Sequence, residues 1–216
     1  MLHRLSPAAR TTRVHSICLN QRFLQPSKIV CIGRNYAAHI SELGNDVPDD
    51  MVVFIKPNSA LGDTLYAEHG EPLHYEGEIV LLWEGGSFSA VGFGLDLTRR
   101  ALQSTLKAKG LPWERAKAFD GAALCSEFVA LNTPLETLAL ELYVNDEMRQ
   151  AGNVGMMLYP PPAILANLAD FLTLEDGDLV MTGTPAGVGE VRRGDRFHGR
   201  ILAGDTLLVE GSWTAR

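Results

Sequence analysis

The apolar positions of this chain repeat at two spacings, and the strand spacing dominates. Lys28-Ile29-Val30-Cys31-Ile32 is apolar and β-branched and stops at Gly33, which predicts a buried strand. Met51 to Ile55 predicts another, closed by Lys56-Pro57. Tyr75 to Trp83 is longer. Its first half alternates, whereas Ile79-Val80-Leu81-Leu82-Trp83 is continuously apolar, so one end should open on a site and the other lie in the core. Gly92 to Leu95 reads as a short strand. Leu138, Leu140, Leu142 and Val144 alternate strictly, Asn145-Asp146 makes a tight turn, and Glu147 to Gln150 returns as the second arm of a hairpin. Leu179 to Met181 and Thr206 to Glu210 are further short strands.

Helical spacing is confined to brief stretches. Asn35 to Leu43 predicts a short helix with Asn35 as its N-cap and Gly44 just past its end. Thr98 to Lys109 places Ala101, Leu102, Thr105 and Leu106 at helical spacing and stops at Gly110. Pro160-Pro161-Pro162 leads into a helix from Ala163 to Phe171, since proline fits the first turn. Strands outnumber helices and no regular βα alternation appears, so the fold class is α+β rather than a doubly wound sheet. Residues 1–27 are irregular in pattern and read as an N-terminal extension packed on a main domain of residues 28–216.

Composition narrows the function. A chain of 216 residues with 46% hydrophobic residues buries a real core. Its net charge of −7 argues against nucleic acid or an anionic membrane as the main partner, because both need a basic face. No apolar run approaches the ~20 residues of a membrane span. Arg4, Arg10 and Arg13 come without the apolar run of a secretory signal. Cys18, Cys31 and Cys125 form no C-x-x-C pattern and sit among apolar neighbours, as small buried thiols do. A cytoplasmic protein is expected. A small anionic partner stays open, since inward-pointing Lys and Arg can serve one.

Three constellations and one loop carry chemistry. In Tyr75-Glu76-Gly77-Glu78 the two carboxylates lie two apart on a strand and so share a face. They repel unless a cation neutralises them, and a hard divalent ion such as Mg²⁺ or Mn²⁺ takes oxygen ligands. A solvated edge strand is the plainer alternative. Asp96 is by itself a helix N-cap candidate, but beside the pair it supplies a third carboxylate. His39 and Glu42 lie three apart on one helical face, where a carboxylate can orient an imidazole and raise its basicity. Lys56, Arg100, Gln103 and Lys117 form a looser set able to hold a substrate carboxylate. Thr182 to Gly189 is a glycine-rich loop whose backbone N–H groups can approach a ligand closely, without the spacing of a P-loop.

In their order along the chain these pieces resemble the fumarylacetoacetate hydrolase family. The resemblance rests on Gly33-Arg34-Asn35-Tyr36 with His39, Phe54-Ile55-Lys56-Pro57, Tyr75-Glu76-Gly77-Glu78, Asp96-Leu97-Thr98, Gly110-Leu111-Pro112-Trp113 leading to Lys117, Gly177-Asp178, and Thr182 through Gly189. It is strongest for the short branch with acylpyruvate hydrolases and oxaloacetate decarboxylases. It implies a mixed β-sheet roll with a few short helices, a homodimer, and one Mg²⁺ or Mn²⁺ on Glu76, Glu78 and Asp96. It implies His39 and Glu42 as a water-activating dyad, Lys117 as an active-site lysine, and Arg34, Lys56, Arg100, Gln103 and Thr184 as substrate-facing residues. The implied reaction is cleavage of a C–C bond in an acylpyruvate, a 2,4-dioxo acid, through a pyruvate enolate held by the metal. Oxaloacetate decarboxylation, tautomerisation or isomerisation of a dienoic acid needs the same enolate and stands as the alternative. Two segments depart from the family pattern: Ala151-Gly152-Asn153 stands where a Thr-Ser pair is usual, and a proline is missing near Leu124-Cys125.

Overall fold

The computed structural model describes residues 14–42, 44 and 49–216. Arg4, Arg10, Arg13 and Leu43 lie outside the described residues. The chain runs through β1 (Ile17–Leu19), β2 (Arg22–Leu24), β3 (Lys28–Gly33), α1 (Ala37–Glu42), β4 (Val52–Pro57), β5 (Leu61–Gly62), β6 (Leu73–Tyr75), β7 (Gly77–Glu84), β8 (Ser87–Asp96) and β9 (Thr98–Arg99). It continues with α2 (Arg100–Ala108), α3 (Glu114–Lys117), β10 (Ala123–Cys125), β11 (Val129–Ala130), β12 (Leu138–Val144), β13 (Glu147–Asn153), α4 (Pro161–Ala169), β14 (Leu179–Met181), β15 (Gly189–Glu190), β16 (Arg196–Ala203) and β17 (Thr206–Thr214). The largest sheet has the order β4-β3-β14-β7-β8-β10-β5, with β11 also on β8. It is mixed: β14 runs parallel to β3 and β10 to β5, while the other neighbours are antiparallel. A four-stranded antiparallel sheet, β13-β12-β16-β17, packs against it, and β15-β6-β9 form a small third sheet. This is the curled mixed sheet with few short helices that the family resemblance implies.

Strand β7 is buried on both faces, which accounts for its unbroken apolar run. Ile79 and Leu81 join Val91, Phe93 and Leu95 of β8 against Leu138, Leu140 and Leu142 of β12 and Phe197 and Ile201 of β16. Val80 and Leu82 face the other way, toward Ile29, Cys31, Leu179 and Met181. Val30, Ile32 and Val180 pack on Ile164 and Leu168 of α4. β7 and β8 meet at Gly85 and Gly86, both exposed and both in the left-handed region with φ of 62° and 80°, which suits a tight hairpin.

Several local expectations need correction. The irregular N-terminal stretch contains the β1–β2 hairpin, turned at Asn20 and Gln21 with φ of 47° and 67°, and its Ile17 and Leu19 enter the core beside β3. The strand expected over 75–83 breaks at Glu76, so that Tyr75 pairs with Gly189 and Gly77 with Leu95. The helix expected from Thr98 starts at Arg100, because Thr98 and Arg99 pair with β6. Asn35 does not cap α1. The carbonyl of Tyr36 accepts from Ile40 N instead, and the Asn35 amide, fully buried, donates to Thr182 O at 2.8 Å and Tyr159 O at 2.9 Å and accepts from Tyr159 N at 2.7 Å. Cys31 is buried as expected, but Cys18 and Cys125 are only partly so. No helix among the described residues is long and apolar enough to cross a membrane.

Asp178 ties the N-terminal segment to the core. Its buried carboxylate accepts from Ser27 N at 2.9 Å, Ser27 Oγ at 2.8 Å, Lys28 N at 3.1 Å and Glu175 N at 2.9 Å, and pairs with Lys28 Nζ. Burial alone would raise this carboxyl. The bonds from Glu175, Lys28 and Ser27 outweigh it and hold it below the usual carboxylate range. Such a group stabilises the fold above its unfolded pKa of about 3.9 and loses that contribution as pH falls through the lower folded value. Asp178→Ala should cost about 3 kcal/mol in urea unfolding at neutral pH, since it strands a half-buried cation and several donors. The gap to wild type should close on acidification below about pH 4. A gap constant from neutral to strongly acid pH would contradict this account.

Candidate metal centre

Cross-strand register builds an acidic cluster from one hairpin. Glu78 on β7 is directly opposite Gly94 on β8. Two residues away on each strand, Asp96 N donates to Glu76 O at 2.8 Å. Side chains at positions 76, 78 and 96 therefore emerge on one face. All three carboxylates are buried, and each offers an oxygen within 4.8 Å of the others.

Buried Lys117 and half-buried Arg100 stand against two of the three. Lys117 Nζ donates to Glu76 Oε2 and Asp96 Oδ2, both at 2.8 Å, and to Thr98 Oγ1 at 2.7 Å, which uses all three of its protons. Arg100 Nη2 donates to Glu76 Oε1, and its Nη1 donates to Gln103 Oε1 at 2.8 Å. Burial alone would raise the Glu76 carboxyl, but Lys117, Arg100 and His39 outweigh it and hold it far below its ordinary value. Burial lowers the Lys117 ammonium, but Asp96 and Glu76 more than reverse that. Glu78 differs. Its Oε2 accepts Gly183 N at 2.7 Å, and burial, then Asp96 and Glu76, push its carboxyl well above the ordinary range.

The donor set fits a hard divalent cation. It is all oxygen, three-fold acidic and buried. Asp96 Oδ1 has no hydrogen bond: Lys56 Nζ is 2.8 Å away and forms an ion pair, but off the angle a hydrogen bond requires. A buried carboxylate oxygen with unused lone pairs, beside a Glu78 short of positive charge, is what an added cation would satisfy. The three carboxylates form a metal site.

The other expected residues divide. Arg34, His39, Arg100, Gln103, Lys117 and Thr184 line one cleft with the triad, about 470 Å³ including its open mouth. Lys56 does not line it. It is fully buried behind Asp96, and its ammonium donates to Lys117 O and to Ala122 O at 3.0 Å, so it braces the site from beneath. Thr184 Oγ1 donates to Gly77 O and accepts from Gln150 Nε2, both at 2.8 Å. His39 Nδ1 is 3.3 Å from Glu42 Oε2. The Glu42 carboxylate also accepts from Gly187 N at 3.0 and 3.2 Å.

The glycine-rich loop thus does something other than expected. Its N–H groups at Gly183 and Gly187 bind carboxylates of the protein itself, Glu78 and Glu42, and link the metal triad to the His39–Glu42 pair. Gly187 has φ +102°, and a Cβ there would come within 1.9 Å of Arg149 O, so only glycine fits. Sequence reasoning missed Gln150, which accepts from Gly77 N at 2.8 Å and donates to Pro185 O at 2.8 Å. Its one signal is a polar residue on an inward position of β13. Lys107, Phe54 and Trp113 of the cleft wall were also missed as site residues.

A protein-family model described as fumarylacetoacetate (FAA) hydrolase C-terminal matches residues 28–85 and 89–213. The chain is 38% identical over 209 residues to the mitochondrial oxaloacetate tautomerase FAHD1 of Arabidopsis thaliana, covering 89% of this chain and 92% of that protein. It is 39% identical over 191 residues to the oxaloacetate tautomerase YcgM of Escherichia coli (strain K12), covering 79% and 86%. Among solved structures, fumarylpyruvate hydrolase from Pseudomonas aeruginosa in complex with Mn²⁺ and pyruvate superposes with a TM-score of 0.83 at 31% identity, covering 99% of each chain.

Proposed function

The chain belongs to the fumarylacetoacetate hydrolase family, and from that premise we propose that it interconverts the enol and keto forms of oxaloacetate or a closely similar 2-oxo acid. The observation that carries this reading is the buried all-oxygen triad opening on a cleft lined by positive side chains. The Arabidopsis and Escherichia coli relatives both bear the name oxaloacetate tautomerase, which supports this reaction over acylpyruvate hydrolysis, the order opposite to the one sequence motifs suggest. C–C hydrolysis is the second reading, supported by the fumarylpyruvate hydrolase relative. The proposal includes Mg²⁺ or Mn²⁺ on Glu76, Glu78 and Asp96, a cytoplasmic location and a homodimer.

A divalent ion bound there would supply Lewis-acid stabilisation of negative charge on the 2-oxo oxygen. The chain's own residues have the remaining tasks. In going from enol to keto, the C2 hydroxyl loses a proton, the C2–C3 π pair takes one at C3, and the C2 carbonyl forms. His39 is the proton carrier. Glu42 accepts from Nδ1–H, which leaves Nε2 as the basic nitrogen. Gly187 N holds Glu42 in place. Lys117, with its protons committed to Glu76, Asp96 and Thr98, acts as a positioning residue for the ligand carboxylates. Arg34, Arg100 and Gln103 orient the carboxylate groups.

The test follows loss of enol-oxaloacetate absorbance with Mg²⁺ for wild type and His39→Ala, with pyruvate release from acetylpyruvate and fumarylpyruvate measured beside it. Tautomerisation should be the faster wild-type reaction, and His39→Ala should lower it about 10²–10⁴-fold. Acylpyruvate cleavage that outruns tautomerisation would restore hydrolysis as the main activity. A His39→Ala rate equal to wild type would remove His39 as the proton carrier.

A further inference from the structure

Helix α2 brings Arg100 and Gln103 into the cleft, and it has no cap of its own. Its N-cap position is held by Arg99, a side chain without an acceptor, and no hydrogen bond runs from that side chain to the first turn. The second and third residues of the helix are Ala101 and Leu102, whose N–H groups are the ones a Ser or Asp cap would satisfy. Both are taken by one oxygen from far back in the chain: Glu71 Oε1 accepts Ala101 N at 3.0 Å and Leu102 N at 3.2 Å. The other oxygen, Oε2, is 3.8 Å from Arg99 Nε. A carboxylate at this end also meets the positive pole of the helix. Arg100 is the first residue of α2 and Gln103 lies less than one turn further on, so both sit in the part of a helix that frays first when it is not capped.

Glu71 stands on a tight turn. Leu73 N donates to Ala67 O at 2.9 Å and His69 N to Glu71 O at 3.0 Å, with Gly70 at the tip and a φ of +74°. The same turn grips a second element, because the His69 ring stacks on Phe119 with centroids 4.8 Å apart and planes 25° apart. Phe119 follows closely on Lys117, the last residue of α3. Past the turn the chain runs through β6 directly into Glu76. One short stretch thus carries the metal ligand Glu76 and also holds the backbone behind each of its two cationic partners. Glu71 holds the start of α2 behind Arg100, and His69 holds the end of α3 behind Lys117.

We propose that Glu71 is a positioning residue of the site: by capping α2 from the 67–73 turn it fixes Arg100 and Gln103 in place against Glu76 and an incoming ligand. Glu71 does not line the cleft, so it acts through the helix and not on the ligand. This rests on the reading that Arg100 and Gln103 orient the carboxylate of a 2-oxo acid.

The test measures kcat and KM for enol-oxaloacetate beside calorimetric binding of oxalate, which presents a carboxylate and an adjacent oxygen as a 2-oxo acid does, to the Mg²⁺-loaded full chain. Glu71→Ala should raise KM about tenfold and weaken oxalate by a similar factor, while kcat falls by less than about threefold. Its Mg²⁺ affinity should stay within about threefold of wild type, because all three carboxylate ligands remain. Glu71→Gln keeps an acceptor oxygen for the two N–H groups and should recover most of both losses. In an Arg100→Ala/Gln103→Ala background, Glu71→Ala should add less than about twofold, since the cap has nothing left to position. Wild-type oxalate affinity in Glu71→Ala overturns the proposal, as does a Glu71→Gln protein as impaired as Glu71→Ala, or a full-sized effect that persists in the double-variant background. Loss of Mg²⁺ affinity along with oxalate affinity overturns it too, because Glu71 then holds the whole site and not α2. A wild type that binds oxalate without tautomerising oxaloacetate overturns the reaction proposed above, and the oxalate measurements still decide the role of Glu71. A wild type that binds no oxalate in the presence of Mg²⁺ overturns both.

Discussion

Glu78→Gln should bind Mg²⁺ or Mn²⁺ more than about a hundredfold more weakly and lose activity by about 10³-fold or more, while the metal-free protein becomes no less stable. Each part has a separate cause. The amide keeps an oxygen for Gly183 N, the one hydrogen bond that the Glu78 carboxylate makes in the described structure. It removes a buried carboxyl that Asp96 and Glu76 repel. It also removes one of three charges that would hold the cation. Loss of metal and activity with a preserved or raised unfolding midpoint is a signature that a misfolded variant would not give. Calorimetric metal titration and thermal unfolding without metal check it. A Glu78→Gln protein that still takes up one ion at wild-type affinity would dismiss the triad as the metal site.

Lys117→Met should have the opposite profile. It leaves Glu76 and Asp96 buried without their shared ammonium, and Thr98 without its donor. Breaking a buried pair in this way costs about 3–5 kcal/mol, which lowers the metal-free unfolding midpoint by roughly 10 °C in a chain of this size. Saturating Mg²⁺ should recover part of the loss, because the cation restores positive charge to the same carboxylates. Activity should stay depressed even with metal, since the ligands have lost the group that positions them. Unfolding midpoints of wild type and variant, each with and without Mg²⁺, decide the matter. A variant as stable as wild type without metal, or one that Mg²⁺ does not help, would contradict it.

The parts legible in the sequence were those whose cause is local. A period of two places Glu76 and Glu78 on one face whatever else the chain does, and it does so in the structure even though the strand breaks at Glu76. The Asn145-Asp146 turn follows from two residues that tolerate positive φ, observed at 53° and 69°. What could not be read depends on groups distant along the chain. Asn35 looks like a helix cap, but its amide is taken by Thr182 and Tyr159, more than a hundred residues away. Thr98 has a helical pattern and is captured by β6. Lys56 and Lys117 both read as substrate-facing cations, and only assembled packing shows one beneath Asp96 and the other with its protons already committed. Gln150 gave almost no signal, since its importance lies in the backbone of Gly77 and Pro185 that it bridges.

The hairpin that carries the metal ligands has two unlike ends. Glu78 lies six residues from Glu84, about 20 Å along a strand, so the Gly85–Gly86 tip stands far from the chemistry. Interior packing on both faces fixes the register of β7, and the tip is not needed to set it. Nothing lies within 4 Å of where a side chain at Gly85 or Gly86 would begin. The family match is also interrupted there, between residues 85 and 89. For the protein engineer this tip is a natural splice point, where a fluorophore, an affinity handle or a tether to a surface can be inserted without reaching the catalytic cleft.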